Sequence, residues 1–152
     1  MTDTDGGAQR IVLLLSGPNL NLLGAREPEI YGTGTLDEHV ASARLAAEAH
    51  DLLLEHLQSN HEGDLVEAVH AARDRCAAIV VNPGALTHYA WSLHDALAAF
   101  DGPVVELHLS NPASREAWRH ASVVAPVATA TIAGLGGHGY PVAVSAVARM
   151  LA

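Results

Sequence analysis

The heptapeptide R-I-V-L-L-L-S, residues 10–16, is an apolar run of strand length that ends at Gly17 and Pro18. A half-exposed strand alternates apolar and polar residues, whereas a continuous apolar run is typical of a strand that a parallel sheet buries on both faces. Glycine and proline together then stop the strand. Residues 10–16 therefore predict an inner strand of an α/β fold.

Further strands and helices alternate along the rest of the chain. We predict strands over 52–59, 77–82, 103–108 and 123–133, and helices over 35–50, 64–75, 89–100, 114–119 and 142–151. The first of these helices has a capping box, because Glu38 follows Thr35 by three residues. Five strands that alternate with helices match a doubly wound, flavodoxin-like α/β fold, with a parallel sheet of order 2-1-3-4-5 between two helical layers.

The length and the cysteine content limit the organisation of the chain. Its 152 residues fit a single domain, which we assign to residues 10–152 after a disordered tail over 1–9. The tail has neither the basic nor the apolar region of a signal peptide, and no apolar run reaches the ~20 residues that a membrane span needs. Cys76 is the only cysteine, so no intrachain disulfide forms. These features predict a cytoplasmic protein that does not contact a membrane.

The charged residues exclude two classes of function. The formal net charge is −9, which argues against nucleic acid as a partner, because binding to phosphates requires a basic surface. All eight basic residues are arginine, and the absence of lysine excludes a Schiff base on a side-chain amine. Arginine suits the fixed, bidentate recognition of a carboxylate.

Polar side chains gather where the predicted strands end, and the carboxyl ends of parallel strands meet at one edge of a doubly wound sheet. They are Asn19, Arg26 and Tyr31 after the first strand, Asn60, His61 and Glu62 after the second, Asn82 and His88 after the third, and Glu106, His108, Ser110, Asn111, Arg115 and Arg119 in or after the fourth. The loop over 19–34 is longer than a simple connection, which is typical of a functional segment. The pattern predicts a site for a small polar anion.

Five motifs lie along this edge. They are G-P-N-L-N-L-L-G (17–24) with R-E-P (26–28) and Y-G (31–32), Q-S-N-H-E-G (58–63), N-P-G-A-L-T-H (82–88), E-L-H-L-S-N (106–111), and G-L-G (134–136) with G-Y (139–140). In this order and spacing, the chain resembles the type II 3-dehydroquinate dehydratases from about Ile11 to its end. The resemblance implies the flavodoxin-like subunit and the reversible loss of water from 3-dehydroquinate, through an enolate, to give 3-dehydroshikimate. It implies no metal and no organic cofactor.

The resemblance also implies roles for individual residues. The implied catalytic residues are the base Tyr31 with Arg26 beside it on a mobile lid, the acid His108 with its partner Glu106, and Asn19, which holds a water against the enolate. The implied substrate-binding residues are Asn82, Gly84, His88, Asp95, Leu109, Ser110 and Arg119. Asp95 is expected to reach the site of a neighbouring subunit, in a dodecamer of four trimers. The reaction serves aromatic amino-acid biosynthesis or, alternatively, quinate catabolism.

The residue types suit this chemistry. Loss of water from a β-hydroxy ketone needs a base for the carbon-bound proton and an acid for the departing hydroxyl group. Tyrosine, with an ordinary pKa of ~10, is a poor base at neutral pH unless a positive charge lies nearby. Arg26 is close to Tyr31 in the same loop, and Glu106 is two residues from His108 on the same strand face. A carboxylate in that position orients the imidazole.

Three other classes of protein fit the sequence less well. Residues 134–139 read G-x-G-x-x-G, but too little chain follows for a dinucleotide-binding unit. Ten histidines suggest a metal protein, yet no spacing places ligands together on one helix face. Among flavodoxin-like binding modules, a phosphoryl receiver needs a lysine, and a flavin carrier usually offers more aromatic residues.

Overall fold

A computed structural model of the protein describes residues 7–152, so residues 1–6 of the predicted tail lie outside the described residues. The strands are β1 (Arg10–Ser16), β2 (Leu52–Gln58), β3 (Cys76–Asn82), β4 (Val104–His108) and β5 (Ala130–Ala133). The α-helices are α1 (Pro28–Tyr31), α2 (Leu36–Ala49), α3 (Glu62–Ala72), α4 (Trp91–Ala98) and α5 (Gly139–Leu151). Short 3-10 turns connect several of these elements.

The strands form one parallel sheet in the order β2-β1-β3-β4-β5, which confirms the predicted topology. Alternate residues of β1 point to opposite faces of the sheet. Val12 and Leu14 are buried under α2 and α5, whereas Leu13 and Leu15 are buried under α3 and α4. The apolar run of residues 10–16 is thus explained by burial on both faces.

The capping box at the start of α2 is also confirmed. The Thr35 hydroxyl accepts a hydrogen bond from the backbone N–H of Glu38 at 3.2 Å, and the Glu38 carboxylate accepts one from the backbone N–H of Thr35 at 3.2 Å. These two bonds satisfy N–H groups that the helix itself leaves free. They fix the point at which the long loop over 19–34 ends.

Several predicted helices and strands have ends that differ from the structure by one to three residues, and two predicted elements differ by more. The strand predicted over 123–133 is only Ala130–Ala133, because a 3-10 turn occupies Ala125–Val127. Pro126 has no N–H for a strand ladder, and the Ser122 hydroxyl binds the N–H groups that begin the turn. The helix predicted over 114–119 is a pair of 3-10 turns separated by the extended backbone of Arg115.

The carboxyl ends of β1 and β3 come unusually close. The backbone N–H of Gly17 donates to the carbonyl oxygen of Asn82 at 2.8 Å, and a Cβ at position 17 would lie 2.3 Å from the carbonyl oxygen of Pro83. Only glycine fits there. This contact lies beside the crevice at the point where the strand order reverses, which is where doubly wound folds bind ligands. Within residues 7–152, no helix is long and apolar enough to cross a membrane.

Candidate active site

A cleft lies at this crevice, between the ends of β1, β3 and β4 and the loop that carries α1. It is lined by Pro18, Asn19, Leu20, Arg26, Tyr31, Asn82, Gly84, Ala85, His88, His108, Leu109, Ser110, Pro112, Arg115 and Arg119. The structure therefore brings together all the predicted site residues except Glu106 and Asp95. Residues from three separate motifs meet there because the parallel strands all end at the same edge.

Glu106 lies directly behind His108. Both residues are on β4, both are buried, and Oε2 of Glu106 is 2.5 Å from Nε2 of His108. The hydroxyl groups of Thr87 and Ser122 contact the same carboxylate at 2.9 Å. Burial disfavours the charged carboxylate, but hydrogen bonds and the charge of His108 outweigh burial and lower the pKa of Glu106. The pair is therefore an imidazole backed by an ionised carboxylate.

Tyr31 faces the cleft between two arginines. The guanidinium carbon of Arg26 lies 5.0 Å from the centre of the Tyr31 ring, and that of Arg115 lies 5.2 Å from it. Both distances fall within the range of a cation–π contact. Arg26 also forms an ion pair of 3.7 Å with Glu27. The long loop thus presents a phenol in a positively charged setting, in a protein whose net charge is negative.

Asn82 is held at the end of β3 by two hydrogen bonds. Its Oδ1 accepts from the backbone N–H of Gly84 at 3.2 Å, and its Nδ2 donates to the hydroxyl of Tyr140 at 3.3 Å. Tyr140 is fully buried, and burial raises its pKa to about 12 against the opposing effect of the Asn82 hydrogen bond. Tyr140 therefore stays a neutral phenol, and the orientation of the Asn82 amide is fixed.

Asn19 begins the long loop in a left-handed conformation with φ of 67°. Its backbone N–H donates at 3.0 Å to Oδ1 of Asn60, which also accepts from the Gln58 amide at 3.1 Å. Asparagine tolerates this backbone conformation better than most residues do. The motif over 58–63 thereby supports the loop rather than lining the cleft.

The remaining polar groups of the cleft suit an anion. Nδ1 of His88 lies 2.7 Å from the carbonyl oxygen of Ala121, which leaves its other ring nitrogen free for a ligand. The Arg115 guanidinium donates to Ser110 at 3.2 Å. Arg119 donates to Glu116 at 2.6 Å and lies over the Trp118 ring at 3.9 Å. Such fixed guanidinium groups match the planar geometry of a carboxylate.

Asp95 lies outside this cleft. It is on α4, its side chain is 85% exposed, and its nearest charged neighbour is His94, with 4.0 Å between Nε2 and Oδ1. Within one subunit, Asp95 therefore does not contact the site. Among the described residues 7–152, no group of three or more His, Cys, Asp or Glu side chains is arranged to hold a metal ion.

Sequence reasoning missed Thr87, Ser122 and Tyr140 as parts of the site. Thr87 and Tyr140 stand inside the motifs over 82–88 and 139–140, and this position was the available signal. Ser122 lies in no motif, and nothing in its local sequence connects it with Glu106. Arg115 was noted at the edge of the sheet, but its contact with Tyr31 depends on how the loop folds.

The fold is flavodoxin-like, and its cleft combines a tyrosine, a carboxylate-backed histidine and arginines, which are side chains suited to acid–base chemistry on an anion. Residues 10–148 match the family model described as dehydroquinase class II. The chain therefore belongs to the class II dehydroquinase family, and its enzyme class is that of the dehydratases.

Individual relatives agree with this membership. A protein of Corynebacterium efficiens named 3-dehydroquinate dehydratase 1 is 55% identical over 138 residues, which make up 91% of this chain and 91% of the relative. A catabolic 3-dehydroquinase of Phaeosphaeria nodorum is 51% identical, with 91% of each chain covered. The crystal structure of a type II dehydroquinase from Butyrivibrio crossotus superposes with a TM-score of 0.90 at 38% identity, covering 93% of this chain and 99% of that one.

Proposed function

We propose that this chain removes water reversibly from 3-dehydroquinate to give 3-dehydroshikimate. One observation carries the proposal: a tyrosine between two arginines and a histidine backed by an ionised carboxylate line the same cleft. The two groups are of the kinds that proton removal and hydroxyl protonation require. The choice of 3-dehydroquinate as substrate is supported by the relatives, which are named after it.

In the first proposed step, the phenolate oxygen of Tyr31 takes the proton from the carbon next to the ketone. The electrons of the broken C–H bond form the enolate. Arg26 and Arg115 stabilise the phenolate by their positive charges, since both lie against the Tyr31 ring. Asn19 holds a water molecule against the enolate oxygen, where negative charge develops.

In the second proposed step, the enolate re-forms the carbonyl group and a carbon–carbon double bond while the bond to the hydroxyl group breaks. His108 gives its proton to that oxygen, which leaves as water. Glu106 stabilises the charged imidazole before the transfer and holds its ring in place. The steps consist of proton transfers between the substrate and named side chains, and they invoke no metal and no organic cofactor.

The other cleft residues bind the substrate in this proposal. The substrate carboxylate binds to Arg119 and to the backbone at Leu109 and Ser110. Asn82 and His88 bind hydroxyl groups, because each has a fixed orientation and a hydrogen-bonding atom left over. Gly84 holds the amide of Asn82 through its backbone N–H.

We also propose that the chain works as a dodecamer of four trimers in which Asp95 reaches the cleft of a neighbouring subunit. The exposed position of Asp95 outside its own cleft supports this assembly. On the same helix, the large aromatic side chain of Trp91 is 63% exposed. Aromatic surfaces of this kind are enriched at protein interfaces.

The proposed setting is aromatic biosynthesis in a reducing, cytoplasmic compartment, which suits a chain whose only cysteine is Cys76. Relatives carry both general and catabolic names, and the same reaction serves either use. A strain that lacks the protein separates the two settings. Failure to grow without aromatic amino acids indicates biosynthesis, whereas failure to grow on quinate indicates catabolism.

The test of the activity is direct. Purified protein is mixed with 3-dehydroquinate, and the ultraviolet absorbance of the conjugated enone product is followed. We expect a rise in absorbance that a chelator does not abolish. Borohydride together with substrate should not inactivate the enzyme, because the chain has no lysine to form an imine. A folded protein that gives no enone contradicts the proposed activity.

A further inference from the structure

The hydroxyl group of Ser122 has its hydrogen-bonding capacity fully used. Its oxygen accepts from the backbone N–H of Val124 at 3.1 Å and from that of Ala125 at 3.0 Å. A serine oxygen has two acceptor sites and one hydrogen. Since both acceptor sites are taken, the hydrogen is directed to the carboxylate of Glu106, whose two oxygens lie 2.9 and 3.0 Å away.

The hydrogen of the Thr87 hydroxyl also points to this carboxylate, because its other neighbour cannot accept it. Its hydroxyl oxygen lies 2.9 Å from Oε2 of Glu106 and 2.9 Å from the Ser122 oxygen. Ser122 cannot accept a further hydrogen bond, so Thr87 donates to Glu106 as well. Thr87 and Glu106 are each 1% exposed, which shields these contacts from competing water.

These two donors decide which nitrogen of His108 holds a hydrogen. An ionised carboxylate only accepts hydrogen bonds, so the atom of His108 that contacts it, Nε2, must be a donor. The transferable proton of the charged imidazole is then on the other nitrogen, Nδ1. After transfer, the neutral ring keeps its hydrogen on Nε2, and the hydrogen bond to Glu106 is unbroken.

We infer that Thr87 and Ser122 are positioning residues which, through Glu106, fix the tautomer of His108 so that Nδ1 delivers the proton to the leaving hydroxyl group. This inference rests on the proposed function. The N–H bond at Nδ1 breaks, a new O–H bond forms on the departing oxygen, and the electron pair stays on the nitrogen. Neither hydroxyl group contacts the substrate in this scheme.

The other charged and titratable groups around the network are few. A cavity bounded by Glu106 and His108 is also lined by His88, Arg119 and His120. Nδ1 of His88 contacts the carbonyl oxygen of Ala121, Arg119 is paired with Glu116, and His120 contacts the carbonyl oxygen of Arg115. None of these three side chains donates to the Glu106 carboxylate, so the donors that keep it ionised are Thr87, Ser122 and His108.

The test compares Thr87→Val, which keeps the shape but removes the hydroxyl, with Thr87→Ser, which keeps the hydroxyl. The pH dependence of kcat is measured from about pH 4 to 9 on the full-length protein. For Thr87→Val we expect kcat at pH 7 to fall about 10-fold and the acidic limb to move upward by about one pH unit, because a donor to an ionised group is lost. KM should change less than about 2-fold, and Thr87→Ser should restore both the rate and the acidic limb.

Two controls separate positioning from a general loss of structure. Thr129→Val removes a hydroxyl that caps the backbone of β4 at Val104, 3.1 Å away, and should leave the acidic limb unmoved. Thr87→Val added to Glu106→Gln should cost little more than Glu106→Gln alone, because both changes act through one carboxylate. If Thr87→Val loses its native circular dichroism, the smaller Thr87→Ala replaces it.

The outcomes are distinct. An upward shift of the acidic limb in Thr87→Val, with KM retained and rescue by Thr87→Ser, supports the inference. An active wild type with a folded Thr87→Val of unchanged kcat and unchanged pH profile overturns the inference alone. Full additivity of Thr87→Val and Glu106→Gln also overturns it. A folded wild type without dehydratase activity contradicts the proposed function itself.

Discussion

The side-chain amide of Asn82 donates to the hydroxyl of Tyr140 across 3.3 Å, between residues that are 58 positions apart in the chain. Asn82 ends β3, and Tyr140 lies in the first turn of α5, fully buried against the sheet. The second hydrogen bond of Asn82, to Gly84, uses its oxygen. One N–H of the Asn82 amide is therefore left for the cleft, in a direction that Tyr140 sets.

The first prediction follows from this contact. Tyr140→Phe should raise KM by roughly 2- to 13-fold, the equivalent of one ordinary hydrogen bond of about 0.5–1.5 kcal/mol. The effect on kcat should be smaller, because Asn82 binds substrate and does not transfer a proton in the proposed mechanism. Steady-state kinetics measures both constants. Tyr89→Phe is the matched control, since its hydroxyl lies on the exposed surface outside the cleft. An unchanged KM in Tyr140→Phe would show that Asn82 needs no support from α5.

The second prediction concerns stability and pH. The folded pKa of Glu106 is lowered, so its stabilising contribution is present above the ordinary carboxyl pKa of 4.5 and is lost as the pH falls through the lower, folded value. Glu106→Gln should therefore be less stable than wild type at pH 7, and the difference in free energy of unfolding should shrink towards pH 3. Urea unfolding at several pH values measures it.

Glu67→Gln is the control for that experiment, because Glu67 is exposed on α3. Its difference from wild type should be small at every pH. If the difference in free energy of unfolding between Glu106→Gln and wild type stays constant between pH 7 and 3, the charge of this carboxylate does not stabilise the fold.

The third prediction concerns the end of the long loop. Thr35→Ala removes the side-chain acceptor of the capping box and should lower the free energy of unfolding by about 1 kcal/mol. Thr35→Ser keeps the hydroxyl oxygen and should stay close to wild type. Thermal unfolding followed by circular dichroism compares them. Equal melting temperatures for Thr35→Ala and Thr35→Ser would show that tertiary packing alone fixes the start of α2.

The fold was predictable because its signals are local. The apolar run over 10–16 and the capping pair Thr35 and Glu38 each lie within a few residues, so sequence alone gave the inner strand and the start of α2. The cleft followed from topology, since parallel strands bring their carboxyl ends together. The length of β5 was mispredicted because the Ser122 hydroxyl and Pro126 stabilise a turn that hydrophobicity does not reveal.

The contacts that tune the site were not predictable, because they join residues far apart in sequence. Ser122 reaches Glu106 across 16 positions, with no periodic pattern to suggest it.

The glycine-rich segment over 134–139 also depends on a contact between residues far apart in sequence. A Cβ at Gly137 would lie 2.2 Å from Cε1 of His39, so this glycine makes room for a ring from α2. Close packing thus explains one glycine of a motif that also resembles a dinucleotide fingerprint.

The fourth prediction tests whether active sites are shared between subunits. Asp95→Ala and Tyr31→Phe should each have low activity when purified alone. When both chains are expressed together, mixed assemblies contain clefts with an intact Tyr31 and an intact Asp95 from the neighbour. We expect the mixture to regain a clear fraction of wild-type activity, and light scattering should give a mass near twelve chains. Activity in the mixture that equals only the average of the two variants, or a fully active monomer, contradicts the shared site.

The last prediction treats Tyr31 and its arginines as one functional unit. Tyr31→Phe keeps the ring and its contacts with Arg26 and Arg115 but removes the oxygen that accepts the proton. General-base catalysis contributes about 10²- to 10⁴-fold, so kcat should fall at least 100-fold, with a much smaller change in KM. Arg26→Ala should also lower kcat, but less, because Arg115 still stabilises the phenolate. Arg26→Lys should restore little, since an ammonium group lacks the planar fork of guanidinium.

A double-mutant cycle on kcat decides whether Tyr31 and Arg26 act together in proton removal. Because Arg26 acts through the Tyr31 oxygen, Arg26→Ala should add almost nothing once that oxygen is gone, so the double variant should resemble Tyr31→Phe alone. Arg44→Ala, which removes an arginine from α2 away from the lining of the cleft, serves as the control for loss of positive charge. Circular dichroism checks the fold of each variant. A folded Tyr31→Phe that keeps more than about a tenth of wild-type kcat, outside the range for loss of a general base, means that another group removes the proton.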